Sequence, residues 1–224
     1  MDNNKTLLSN LMILSLSERI ELEQRLLFET LESGDVKFFC EKCEKVETEL
    51  WLQVILNARD NRLGFEGRTL LHNASRYSQS TLGVVQYLLH KGYNVDVTDS
   101  SVSLITPLMD AILANSVQSA MSLVQAGANL YAQDMSGENA LHYCARNGST
   151  IMIHKILQAA DLSPSGIQEL LSQTNVKLKF PEDVAKNQLT REVLKDYRET
   201  GMHIIEKKNK NKTANNQRTT LTLY

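Results

Sequence analysis

Ile105-Thr-Pro-Leu-Met-Asp-Ala-Ile112, a polar turn at 114–116, then Ser119-Ala-Met-Ser-Leu-Val-Gln-Ala-Gly127 is the stretch from which the fold is read. The same pattern stands on both sides of it. Upstream are Arg68-Thr-Leu-Leu-His-Asn-Ala-Ser75 and Val84-Val-Gln-Tyr-Leu-Leu-His-Lys-Gly92; downstream are Glu138-Asn-Ala-Leu-His-Tyr-Cys-Ala145 and Met152-Ile-His-Lys-Ile-Leu-Gln-Ala-Ala160. The anchor leucines Leu71, Leu108 and Leu141 fall 37 and 33 residues apart. Self-similarity at a fixed period of this size marks a stacked-repeat architecture, in which each unit buries its apolar face only against its neighbours.

The second half of each copy places apolar residues at helical spacing, and two of the three stop at a glycine, Gly92 or Gly127, which takes the left-handed helix-end conformation at least cost. After the glycines, Asn94-Val-Asp-Val-Thr-Asp99 and Asn129-Leu-Tyr-Ala-Gln-Asp134 alternate polar and apolar residues, the pattern of extended arms joining one helix pair to the next.

On these three copies, with Thr106-Pro-Leu108 intact, the chain resembles the ankyrin repeat family over roughly residues 57–197. The resemblance implies an all-α ankyrin-repeat solenoid of helix-turn-helix units with hairpin-like loops. Departures from the family pattern are two extra residues at 78–82, Met109 where the family prefers His, and Asn139-Ala140 in place of Thr-Pro. Eroded copies flank the clear ones. Phe180-Pro-Glu-Asp-Val-Ala-Lys-Asn187 restarts the pattern after an insert of about 8 residues containing Ser163-Pro-Ser-Gly166, with 189–197 as its second helix. Charges at Lys186, Arg191, Glu192, Lys195 and Asp196 suit a terminal repeat whose outer face meets water. Upstream, Leu31-Glu-Ser-Gly-Asp-Val-Lys-Phe-Phe39 reads as the inter-helix turn of a degenerate first copy completed by 46–56 with Trp51. The expected organisation is therefore an N-terminal helical cap (1–56), the repeats (57–200) and a tail (201–224).

That tail carries five basic residues (Lys207, Lys208, Lys210, Lys212, Arg218) against Glu206, a net of +4, so the remainder of a chain of net −2 carries −6. Its low hydrophobicity predicts disorder. Lys207-Lys-Asn-Lys-Asn-Lys212 has two readings, a solvated charge run or a patch for nuclear import or nucleic acid. No apolar run reaches the 18 residues of a membrane span. The segment 7–16 lacks the basic flank and cleavage site of a secretory signal, which makes cytosol or nucleus the expected location.

Cys40-Glu-Lys-Cys43 has zinc-knuckle or redox spacing, but a structural zinc needs four ligands and the only other cysteine is Cys144. Cys144 sits in the small-residue slot of Ala74 and Ala111, and the pair on its predicted helix reads as packing thiols. His72 and His142 occupy the family's turn-bonding histidine position, which implies structural roles. No phosphate loop, nucleophile elbow, His-Glu-x-x-His or paired-carboxylate motif is present, so neither an enzyme nor a cofactor is expected.

What remains is surface. In this family partner contacts usually come from hairpin tips and the outward residues of each first helix, which line a concave groove. Carried over by position, these are Phe65, Glu66, Arg68, Arg76 and Tyr77; Val102, Ser103, Ile105, Leu113 and Ala114; and Met135, Ser136, Glu138, Arg146 and Asn147. Val102, Leu104, Ile105 and Leu113 stand out, because a solvated tip has no structural need for four apolar side chains. Either they meet a partner, or the extra residues near Ser100 fold the tip back onto its own repeat. The expected function is a non-enzymatic adaptor or regulator binding a protein partner; the alternative is a chromatin or nucleic-acid-associated factor acting through the tail.

Overall fold

The computed structural model describes residues 16–44, 58–60, 67–77 and 81–200. Contacts divide the chain into two compact units, Met1–Ala126 and Gly127–Tyr224. The cut falls after the second clear repeat, inside the array read from sequence as 57–200. Where each repeat touches only its neighbours, such a cut can fall between any two of them.

The first unit contains α1 (Leu16–Ser33), α2 (Val36–Glu44), a two-residue pair β1 (Arg59–Asp60) and β2 (Arg68–Thr69), then α3 (Leu70–Arg76), α4 (Leu82–His90), α5 (Pro107–Leu113) and α6 (Val117–Gln125). The antiparallel pair sets Arg59 opposite Thr69 and Asp60 opposite Arg68. Gly34, in the left-handed region, turns α1 into α2 where the degenerate first copy was expected. α1 packs on α3 and α2 on α4, so Leu27, Phe28, Leu31 and Phe39 cover the first clear repeat. Its completing segment, 46–56 with Trp51, lies outside the described residues, as do 78–80 and the tail 201–224. The segments 94–99 and 129–134 are not simple extended arms. Asn94 Oδ1 accepts from the Asp96 N–H and Asn129 Oδ1 from the Tyr131 N–H, so each opens with a side-chain-capped turn.

The second unit contains α7 (Ala140–Asn147), α8 (Thr150–Ala159), α9 (Pro164–Ser172), a short 3-10 turn (Pro181–Val184) and α10 (Gln188–Thr200). The insert read from sequence is thus a helix. Ser163 caps it by accepting from the Gly166 N–H, Pro164 opens it, and Ile167, Leu170 and Leu171 bury one face. The eroded fourth copy keeps only the 3-10 turn as its first helix. Glu182 stands there where Leu71, Leu108 and Leu141 anchor the others, and it is buried with Arg198 Nε 2.6 Å from its Oε1, an ion pair off the line of a hydrogen bond. A buried charge in the anchor slot ends the apolar repeat pattern.

First helices are capped as the repeat pattern demands. Thr106 Oγ1 accepts from the Met109 N–H ahead of Pro107, and Asn139 Oδ1 from the N–H groups of Leu141 and His142. Leu71, Ala74, Leu108, Ala111, Leu141 and Cys144 are fully buried, and burial pushes the Cys144 thiol well above its ordinary range. Cys144 therefore fills the small-residue slot as expected.

The two histidines link consecutive repeats inside each unit. His72 Nε2 lies 2.9 Å from the Ile105 carbonyl, at the foot of the next hairpin. A carbonyl can only accept, so Nε2 carries the proton. The Thr69 N–H, 3.2 Å from Nδ1, can only donate, so Nδ1 is bare. His142 Nε2 likewise donates to the Lys179 carbonyl at 3.0 Å. The Met109 side chain, at the same repeat position, has no N–H donor to make this link.

Two outcomes follow from this packing. Replacing Leu108 by Ala should cost about 2–5 kcal/mol in urea denaturation, the range for a buried leucine; a cost below about 1 kcal/mol would refute the repeat register. The second concerns pH. Burial holds His72 and His142 below the ordinary 6.5, outweighing the pull of Asp110, the Ile105 carbonyl and Asp99 at His72, and of the Lys179 carbonyl, Glu138 and Asp134 at His142; Arg68 and Arg146 reinforce the lowering. The unfolded chain then takes up protons first, so stability is full above the unfolded value of 6.5 and falls as pH drops through it toward the folded values. Urea midpoints measured between about pH 7.5 and 5.5 should decrease, with a smaller decrease in His72→Gln; a flat profile would contradict the neutral buried imidazoles.

Candidate functional site

Three hairpins share one construction, and the β1–β2 pair is closed by a related bond. Asp60, Asp99, Asp134 and Asn175 each start a loop closed by a backbone bond: Gly67 N–H to the Asp60 carbonyl, Asp99 N–H to Ile105, Asp134 N–H to Glu138 and Asn175 N–H to Lys179. Asp99, Asp134 and Asn175 also accept, through Oδ1, from the N–H of Ile105, Glu138 and Lys179 respectively. The residue before the closing position has positive φ in the last three, at Leu104, Gly137 and Leu178, and Gly67, the residue that donates the first bond, has positive φ too. Gly137 is required twice over, since a Cβ there would come within 2.9 Å of the Val176 backbone nitrogen. Neighbouring tips are zipped by the Ser100 N–H to the Gly67 carbonyl and the Val176 N–H to the Ser136 carbonyl.

In the first unit the carried-over positions separate into two kinds. Arg68 is nearly buried, with Nε 2.8 Å from Asp110 Oδ2, while Arg76 Nη1 lies 3.2 Å from Asp110 Oδ1 and stays part-exposed. Asp110 is fully buried, and two guanidiniums tie its carboxylate to the preceding repeat. Arg68 is thus a correction: it is an internal ion-pair residue rather than an outward one. Ile105 is half-buried, its carbonyl held by His72. Tyr77 is part-exposed with its hydroxyl donating to Glu32. Val102 is 82% and Leu113 48% exposed, and Ser103 and Ala114 are also exposed. The tip of residues 100–104 is not folded back over its repeat. Phe65 and Glu66 lie outside the described residues.

In the second unit Met135 and Ser136 are exposed and Asn147 is half-buried. Glu138 is the second correction: it is buried, and its two oxygens receive Arg146 Nε at 2.8 Å and Nη2 at 2.6 Å, with Asn175 Nδ2 adding a bond at 3.1 Å to Oε1. Burial works to raise the Glu138 carboxyl, but these bonds outweigh it and hold it below its ordinary value, while the same pairing raises Arg146. Arg146 itself remains 53% exposed. Ser136, Glu138, Arg146, Asn175, Val176 and Lys177 line a cleft of about 280 Å³. The fourth hairpin, 175–179, was not among the sequence-derived positions. Its signal was present: Asn175 precedes Phe180-Pro181 by the five residues that separate Asp134 from Asn139-Ala140.

Cys40 and Cys43 lie on α2, half-buried and buried respectively. Among the described residues no cluster of three or more His, Cys, Asp or Glu has the placement to hold a metal ion, and no helix is long and apolar enough to cross a membrane.

A search of curated proteins finds no match. The family model for ankyrin repeats in three copies matches residues 71–165, the span holding the anchor leucines, both histidines and the second and third hairpins. Residues 71–165 of this chain belong to the ankyrin repeat family, an all-α fold that serves as a protein–protein interaction module.

Proposed function

We propose that this chain is a non-enzymatic adaptor or regulatory protein, and that it captures a protein partner through its hairpin tips and the outward ends of its first helices. The observation that carries the reading is the 99–105 tip. Leu104 holds φ +55 where the 134–138 hairpin uses Gly137, a conformation costing a branched residue roughly 1–2 kcal/mol, and Val102 beside it points into solvent. Leu113, at the end of α5, is exposed as well. Leucine, valine and the nearby Arg76 and Tyr77 give the mixed apolar, aromatic and guanidinium chemistry that anchors interfaces. Strain kept at an exposed apolar tip has a rationale in recognition and none in solubility.

The rival, nucleic-acid association through the tail, rests on the +4 charge of 201–224. Capture from lysate with mass-spectrometric identification separates the two. Val102→Asp with Leu113→Asp should abolish capture of a protein partner while the helical circular dichroism and melting temperature hold, and the captured complex should survive added salt. Unchanged capture in the double variant would remove the tip from the reading; capture of nucleic acid that collapses steeply with salt would favour the tail.

A further inference from the structure

We propose that the second-unit cleft receives a carboxylate side chain, flanked by apolar residues, from an acidic segment of the protein partner; this rests on the protein-partner reading above. The side-chain carboxylate and amide oxygens that line the cleft are already committed. Both Glu138 oxygens are taken by Arg146, with Asn175 adding to Oε1, and Asn175 Oδ1 receives the N–H groups of Lys177 and Lys179. Donors are left over. A guanidinium has five N–H groups and Glu138 uses two of Arg146's, so three remain on a side chain that is half exposed. The exposed Lys177 ammonium and the Ser136 hydroxyl complete the set. A ligand that satisfies this cleft must therefore supply acceptors.

Charge narrows the class. Arg146, Lys177 and Glu138 sum to +1, which matches a single carboxylate better than a phosphate dianion, on a body that outside the tail carries −6. Arg146 is also held in place by its bidentate pair, so little rotamer entropy is lost when it binds. The flanks are apolar. Val176 is 67% and Leu178 79% exposed on either side of Lys177, and Leu178, like Leu104, holds a left-handed conformation, φ +56, while pointing into water. An apolar–acidic–apolar segment fits that apolar–basic–apolar hairpin.

The test is an NMR titration of the isotope-labelled full chain with acetyl-Leu-Glu-Leu-amide, acetyl-Leu-Gln-Leu-amide and inorganic phosphate in parallel. The Glu peptide should give saturable shifts at the amides of Ser136, Gly137, Val176 and Lys177 and at the Arg146 Nε–H, with the Gln peptide about five-fold weaker or worse. Lys177→Glu, an exposed change that leaves the Glu138–Arg146 pair intact, should keep the amide spectrum and weaken the Glu peptide by about five-fold. Absence of saturable shifts at these residues, equal response to the Gln peptide, or tighter binding of phosphate would each overturn the assignment. A chain that still captures a protein through Val102 and Leu113 while ignoring the Glu peptide loses the cleft assignment alone; a chain that captures no protein loses the reading beneath it.

Discussion

A single imidazole bond sets the geometry of the first unit. His72 takes the Thr69 N–H on one ring nitrogen and gives its other proton to the Ile105 carbonyl, so the start of α3 and the foot of the following hairpin are fixed to one rigid ring. Every other feature of the 99–105 tip hangs from that foot: the Asp99 closure, the left-handed Leu104 and the outward Val102. His142 repeats the arrangement between α7 and Lys179, which places the 175–179 hairpin and its cleft. A protonated ring would keep its bond to the Ile105 carbonyl but face the Thr69 N–H with a second donor, so the Thr69 half of the link needs a neutral imidazole.

Ion pairs do a second job beside these links. Asp110 gathers Arg68 and Arg76, and Glu138 gathers Arg146 and Asn175; both carboxylates are buried, and both are paired well enough to offset some of the desolvation that burial imposes. The consequence for recognition is selective. The buried carboxylates are spent on structure, whereas the part-exposed guanidiniums of Arg76 and Arg146 keep donors facing outward. At these two ion pairs the polar groups left facing outward are therefore hydrogen-bond donors.

The repeats, the histidine positions and the Cys144 slot were legible in the sequence because each depends on spacing within one copy. The Thr106-Pro-Leu108 signature fixes a cap, a first helical residue and an anchor, and those three fix the rest of the repeat. What the sequence hid was settled between elements. Arg68 and Glu138 sit at outward positions by local register, and only the 42-residue step to Asp110 and the eight-residue step to Arg146 turn them inward. The insert before the fourth copy was legible in part: Ser163 and Pro164 are a helix start, and Ile167, Leu170 and Leu171 are its buried face. It was missed because the ankyrin pattern has no helix there. The hairpin at 175–179 was obscured by the loss of glycine at Leu178 and of the anchor leucine at Glu182.

The state of the His72 ring bears most directly on this account. Long-range proton–nitrogen correlation spectra of the folded chain resolve which ring nitrogen is protonated and follow it with pH. The account predicts one neutral tautomer, protonated at Nε2 and bare at Nδ1, persisting below the ordinary 6.5 of a free histidine. A ring that exchanges between tautomers, or that titrates near 6.5 with the fold intact, would show that the link between α3 and the next hairpin does not hold the tip in place.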